Sequence, residues 1–416
     1  MPMLYNVRQR FEIPDAIDPV AAVDKAFRQI KDKLQLPSDA RVAIAVGSRG
    51  IHGVVEVVRQ VVNWIKSIGA DPFILPAMGS HGGATAEGQV DVLRHRGVTA
   101  RTCGAPIQAT MEVVSLGKTT CGIPLFINKL AYDSDGIILV NRIKPHTNFI
   151  GKTESGLLKM AAIGLGNQIG AEYYHRLSLM RPQYNVISTA GREIIKKSPF
   201  LFGVGMVENQ HHRLCDLKIA TAEAVEKVEV RQLKLARALL PRLPMDEVDF
   251  LVVDEMGKDI SGQGIDPNVV GRDCCAYGAR REKPRIARIH VRRLTENSVG
   301  SAVGIGMADF TLQSLVEKID VAATTINCLT SCAPEVGKLP LVFETDLDAF
   351  AAALMSIRPF TKQDLGIVCI KNTMDLESLY VSERYVAELK NNPIVEIIEP
   401  PVDIAFKEGM LASPRW

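Results

Sequence analysis

The feature that most restricts the fold is an alternation of short β-branched runs with amphipathic stretches. The run VAIAV at residues 42–46 is followed by GVVEVVRQVVNWIKSIG from Gly53, and then by DPFILP at 71–76. In the middle stretch Val54, Val57, Val58, Val61, Trp64 and Ile65 recur near i, i+3, i+4, i+7 spacing. That spacing predicts a helix with one apolar face able to cover a sheet, so the segment reads as a βαβ unit. GIILV at 136–140 is predicted as a further buried strand, and the loop after it, NRIKPHTNFIG, holds Pro145 and several polar side chains. In open α/β sheets, loops beyond the carboxyl ends of strands are where function usually sits.

Farther along, 185–197 reads as a helix, 201–207 as a strand and 221–240 as a long charged helix. Pro241 and Pro244 end that helix, and DFLVVD at 249–254 opens a second α/β unit. Strands at 286–291 and 366–370 and helices at 312–319 and 347–356 are expected within it. The expected domains are therefore 1–243 and 247–416, with the last thirty or so residues either staying in the second domain or crossing back. There is no internal repeat and no low-complexity segment.

Composition narrows the class of partner. Lys+Arg 49 against Asp+Glu 47 gives a net charge of +2, and 47% hydrophobic with 23% charged is ordinary globular usage. Disorder and bulk electrostatic binding of nucleic acid are both disfavoured, and a small-molecule partner is expected. Seven Lys/Arg residues fall between Arg280 and Arg293, but Ile286, Ile289 and Val291 interleave with them, so the stretch reads as a solvated strand face. Eight cysteines, two of them adjacent at Cys274 and Cys275, do not resemble a secreted disulfide framework. No stretch reaches the ~18 apolar residues of a membrane span and no cleavable leader is seen, so a cytoplasmic location away from membranes is expected.

Three of the eight histidines stand out by context. His81 lies in Met78-Gly-Ser-His-Gly-Gly-Ala-Thr85, directly after a predicted strand, where glycines let backbone approach a ligand closely. The same segment also reads as a plain turn with an exposed ring, and sequence leaves the two open. His146, in Lys144-Pro-His-Thr147, begins a loop with Thr147, Asn148, Thr153 and Ser155, the groups that hydrogen-bond a polar ligand or simply face water. His175 follows Ala171-Glu-Tyr-Tyr on a predicted helix.

Lys159 sits in the mostly apolar Glu154-Ser-Gly-Leu-Leu-Lys-Met-Ala-Ala-Ile-Gly-Leu-Gly166. A lysine so placed either snorkels to solvent or is desolvated, which lowers its pKa and makes the amine nucleophilic. The Gly47-Ser-Arg-Gly50 turn after the first strand looks like an anion cradle, Arg49 offering a fork and the next helix its free N–H groups. The chain has no HExxH and no paired CxxC, and Cys328-x-x-x-Cys332 lacks a second pair. His211 and His212 adjoin on a strand-like stretch and are expected to point to opposite faces.

Taken together, Arg49, His81, His146, Lys159 and His175 resemble the nickel-dependent lactate racemase family. The resemblance lies in order, context and spacing: 32 residues from Arg49 to His81, 65 from His81 to His146, and 16 from Lys159 to His175. It runs through most of the first 240 residues and thinly through the rest. It implies two α/β domains with the active site in the cleft between them. It also implies a nickel-pincer nucleotide, a pyridinium-3,5-bisthiocarboxylic acid mononucleotide carrying nickel, attached to Lys159 and supplied by cofactor-synthesis enzymes. By the same resemblance His175 is the protein's nickel ligand, His81 and His146 are the acid/base pair, and Arg49 binds cofactor or substrate.

The implied activity is racemisation or epimerisation of a 2-hydroxy acid, lactate-like or larger, including sugar acids, by reversible hydride transfer to the cofactor. The sequence departs from the family at Val46, where an aspartate is common, and in the 13 residues from His146 to Lys159, a longer interval than in lactate racemase itself. The family's substrate-side glutamine and lysine are matched by Gln263 and Lys258, in reversed order. Two rivals stay open: a cofactor-free relative that binds a small anion, and a divalent-metal hydrolase or lyase using the same histidines.

Overall fold

The computed structural model describes residues 1–31, 34 and 36–414. The chain forms two compact units, one of residues 13–240 and one of residues 1–12 with 241–416. Both are mixed α/β.

Strand β1 (Met3–Gln9) opens the chain, and the unit of residues 13–240 follows it. That unit contains α1 (Pro19–Arg28), β2 (Arg41–Val46), α2 (Val54–Ser67), β3 (Asp71–Pro76), α3 (Ala86–His95), α4 (Ala100–Cys103), β4 (Val113–Lys118) and β5 (Pro124–Asn128). It continues with α5 (Lys129–Tyr132), β6 (Gly136–Arg142), α6 (Leu157–Lys159), α7 (Asn167–Ser178), α8 (Gln183–Lys197), β7 (Phe200–Glu208), β8 (Leu214–Ala220) and α9 (Val225–Ala238). Its five-stranded sheet runs β3-β2-β6-β7-β8, parallel except for the antiparallel edge strand β8.

The predicted βαβ unit is β2-α2-β3. Its strands are apolar on both faces because helices cover both. Ala43, Ala45, Phe73, Leu75, Ile137 and Leu139 pack with Leu157, Val186, Ile194 and Leu233 on one side. Val42, Ile44, Ile74, Ile138 and Val140 pack with Val57, Val58, Val61 and Phe27 on the other. In a parallel sheet all carboxyl ends lie along one edge, so the loops after β2, β3 and β6 emerge side by side. Those three loops carry Arg49, His81 and His146.

The other unit is built on an eight-stranded sheet. Its strands after residue 240 are β9 (Glu247–Met256), β10 (Arg285–Leu294), β11 (Phe310–Leu312), β12 (Leu341–Phe343), β13 (Ile367–Ile370), β14 (Ser378–Ser382) and β15 (Val395–Asp403). The order is β12-β11-β10-β9-β13-β14-β1-β15. β1 pairs antiparallel with β14 on one side and β15 on the other, which is why the first twelve residues belong here and not with the 228 that follow them.

Two local readings change. His211 and His212 stand on the turn between β7 and β8, where His212 has φ 54°, and not on a strand; Asn209 Oδ1 ties that turn by accepting from the N–H groups of His211 and Arg213. The basic stretch 280–293 is largely solvated as read, with Arg280, Lys283, Arg285 and Arg293 exposed, but β10 is an inner strand and buries His290 and Arg292. His290 Nε2 lies 2.9 Å from Asp346 Oδ1, and Arg292 is held between Asp346 and Asp254. These charges are internal ties that close the core.

Candidate functional site

Three glycines explain how close the loops at the carboxyl edge approach one another. A Cβ on Gly47 would stand 3.3 Å from the Asn141 amide oxygen, and one on Gly164 would stand 2.7 Å from the Ala77 carbonyl. Gly79, at φ 66°, gives its N–H to the Gly164 carbonyl across 3.3 Å, and the Gln89 side chain donates to the Gly79 carbonyl across 2.8 Å. Residues Met160–Gly164 form one turn of π-helix directly after Lys159, a local irregularity that recurs at functional sites.

Each sequence-predicted side chain in this unit is half-buried at that edge. His81 is tied to the loop after β2: Ser48 Oγ and His81 Nδ1 are 2.5 Å apart. His146 stacks on Phe149 with ring centroids 4.2 Å apart, and its Nδ1 accepts the backbone N–H of Asn148 at 3.0 Å. The His146 N–H in turn donates to Glu154 Oε2 at 2.6 Å. Glu154 is buried, and its other oxygen accepts from Gly151 N–H and from Arg237 of α9, which also donates to the Gly151 carbonyl at 2.7 Å. His175 Nδ1 lies 3.4 Å from Gln183 Nε2.

Electrostatics bind these residues into one group. Burial, with Arg49 as a second cause, pushes the Lys159 amine down to about 8. Burial and then Lys159 push His175 down to about 4. His146 is held well below its ordinary value by burial, and after that by Lys159, His175, Lys144 and Arg49. Arg49 is itself lowered to about 10 by burial, Arg142 and Arg96. A lysine amine, two neutral imidazoles and a crowd of cations therefore share one edge of one sheet. Such a place favours anions and raises the fraction of the Lys159 amine that is neutral and nucleophilic.

Arg49, His146, Lys159 and His175 are brought together, with His81 joined through Ser48 beside Arg49. Lys258 and Gln263 belong to the other unit, on the loop after β9. There the Lys258 amine donates to Asn327 Oδ1 at 3.0 Å, and Gln263 is buried. Among the described residues, no group of three or more His, Cys, Asp or Glu side chains converges as a metal site.

Ser48, Glu154, Glu229 and Arg237 were not anticipated from sequence. Glu229 had a signal: on α9 it falls in the stripe Val225, Leu233, Ala236 that faces the core, where an acid is out of pattern. Its Oε2 accepts the Leu158 N–H at 3.0 Å, and burial pushes its carboxyl up to about 8.

Comparison with known proteins adds the following. Residues 5–186 match the family model described as the lactate racemase N-terminal domain, a span that includes Arg49, His81, His146, Lys159 and His175. A structural-genomics crystal structure of a protein from Thermotoga maritima is similar in fold, with TM-score 0.54 and 14% identity over 79% of this chain and 84% of that one. The lactate racemase apoprotein from Thermoanaerobacterium thermosaccharolyticum aligns with TM-score 0.49 and 13% identity over 68% of this chain and 69% of that one. No curated protein sequence matches significantly. Among the described residues no helix is long and apolar enough to cross a membrane.

Proposed function

From a chain whose residues 5–186 carry the lactate racemase N-terminal domain, we propose a racemase or epimerase of 2-hydroxy acids that works with a nickel-pincer nucleotide. The observation that carries this reading is the company kept by Lys159: a desolvated amine set beside the two neutral imidazoles of His146 and His175 within that domain. The donor set fits the group. A neutral amine is what a thioamide linkage requires. A single imidazole that is unprotonated through the physiological range suits a metal whose other ligands come from the cofactor's own sulfur and carbon atoms. The surrounding cations Arg49, Lys144 and Arg96 suit a phosphate and the carboxylate of a substrate, while Arg142 is paired with Glu208. A conventional three-ligand protein metal site has no such donors among the described residues, which weighs against an ordinary divalent-metal hydrolase.

When bound, the group supplies a hydride acceptor, so that a chiral hydroxy acid passes through a planar keto acid. The chain's part is to bind the carboxylate, with Arg49, and to move the hydroxyl proton. His81 suits the base, because the Ser48 hydroxyl at its Nδ1 can donate or accept and so serves the ring in either protonation state. His146 suits the opposite face, and its partner Asn148 N–H can only donate, which sets the resting proton on Nε2. Lys258 and Gln263 are proposed as substrate contacts from the other unit. The test is stereochemical exchange across a panel of 2-hydroxy acids with cofactor-loaded protein, alongside nickel content. Full loading with no exchange on any member of the panel would favour an anion-binding relative.

A further inference from the structure

α9 lies outside the span matched by the family model, yet two of its side chains reach the segments that carry Lys159 and His146. Arg237 holds Glu154, which holds the His146 loop. Glu229, eight residues earlier on the same helix, is fully buried and turned toward the first turn of α6. That turn has no cap of its own: Gly156 precedes it and has no side chain to receive the orphan N–H groups. Glu229 Oε2 takes the Leu158 N–H from outside the segment, one residue before Lys159. The fit is close, since a Cβ on Gly156 would stand 2.5 Å from Glu229 Oε1.

We infer that Glu229 is a positioning residue for Lys159, capping its helical turn in trans so that the amine is set against Arg49 and His146 and not released to solvent. A serine or aspartate at the Gly156 position would cap the turn locally at far less cost than burying a carboxyl in an apolar core. A cap delivered from α9 instead ties the Lys159 turn to the helix that also braces His146, so the two segments share one rigid reference. Burial of the acid agrees with this, since its carboxyl is pushed up to about 8 and one oxygen, Oε1, has no hydrogen-bond partner among the described residues. The inference rests on the reading of Lys159 as the group that meets an anionic ligand, but it needs neither nickel nor racemisation.

The test uses pyridoxal 5′-phosphate with borohydride trapping on the full chain, read by peptide mass spectrometry as the ratio of Lys159 to Lys152 labelling. The phosphate samples the cation cluster, and the aldehyde reports whether an amine stands beside it. Lys152 is exposed and serves as the internal reference. Wild-type protein should favour Lys159. Glu229→Ala should lower the ratio by about 10-fold. Glu229→Gln should restore most of it, because the amide oxygen can still accept from the turn. Gly156→Ala leaves the carboxyl in the chain but pushes it off Leu158, and should reproduce the loss even if Glu229→Ala fails to fold. A wild-type ratio in Gly156→Ala or in folded Glu229→Ala, or no preference in the wild type, overturns the assignment. Because no hydroxy acid is involved, failure of the racemase reading would leave this result standing.

Discussion

The backbone N–H of Asn148 donates to Nδ1 of His146 across 3.0 Å. A backbone amide has no lone pair to offer in return, so the neutral ring must carry its proton on Nε2. We expect two-bond nitrogen–proton NMR spectra at pH 7 to show His146 as the Nε2–H tautomer. Finding the Nδ1–H form would contradict both this contact and the resting state drawn from it.

His81 is coupled differently, through the Ser48 hydroxyl at 2.5 Å. If His81 moves the substrate's hydroxyl proton, His81→Ala should lower turnover of cofactor-loaded protein by about 10²-fold or more without releasing nickel. Ser48→Ala, which removes only the ring's partner, should cost about 10-fold. Near-normal rates in His81→Ala with full nickel would remove it from the reaction.

Lys159→Ala should abolish the covalent adduct seen by intact mass in cofactor-loaded protein. The exposed Lys152, changed to Ala, should leave the adduct in place. An adduct that persists on Lys159→Ala would relocate the anchor.

His175→Ala should lose nickel on desalting while retaining the fold. The ring is half-buried and makes a long 3.4 Å approach to Gln183, so its removal should cost at most about 1 kcal/mol. Metal analysis and a melting curve check both halves; stoichiometric nickel in the variant would assign the ligand elsewhere.

Glu229 makes a forecast about pH. Its carboxyl titrates at 4.5 in the unfolded chain and about 8 in the folded one, so between those values the folded chain holds a proton that the unfolded chain has lost. The stability this provides is complete below about 4.5 and disappears as pH rises through about 8. Glu229→Gln lacks the titration. Relative to wild type it should gain stability from pH 5 to pH 8.5, by on the order of a few kcal/mol. Denaturant melts at the two pH values measure the difference, and parallel behaviour of the two proteins would mean that the acid is charged when folded.

How much of this was legible in the sequence depends on how far apart the partners lie. The βαβ unit was readable because β2 and β3 are apolar on every inner residue and α2 repeats its valines on one face. β1 was not, since its partners stand some 370 to 400 residues away and MLYNVRQ alone has no decisive period. The hairpin β4–β5 was missed for another reason: β4 buries no residue fully, and only Val114 and Leu116 turn toward the core, too short an alternation to read. Arg49, His81 and His146 could be found because each follows a strand within a loop of glycine, proline or polar residues. Ser48, Glu154, Glu229 and Arg237 act through contacts with residues from 8 to 83 positions away, and their own neighbours in sequence give little sign of it. In the basic run 280–293 the exposed side chains were readable but buried Arg292 was not, because charge alone cannot reveal that Asp346 and Asp254 come in from elsewhere to neutralise it.

The position of β1 between β14 and β15 sets an order on biosynthesis. A nascent chain emerges from its N-terminus, so the opening strand leaves the ribosome long before either of its neighbours exists. The segment 13–240 is contiguous and closes its own cores, so it can be completed during translation. The eight-stranded sheet cannot, because it needs the first seven-residue strand and the last long one together. Until synthesis passes β14 at residue 382, β1 is an unpaired strand with open edges on both sides, the kind of segment that chaperones bind and that misfolded chains share, and one edge stays open until β15 is made.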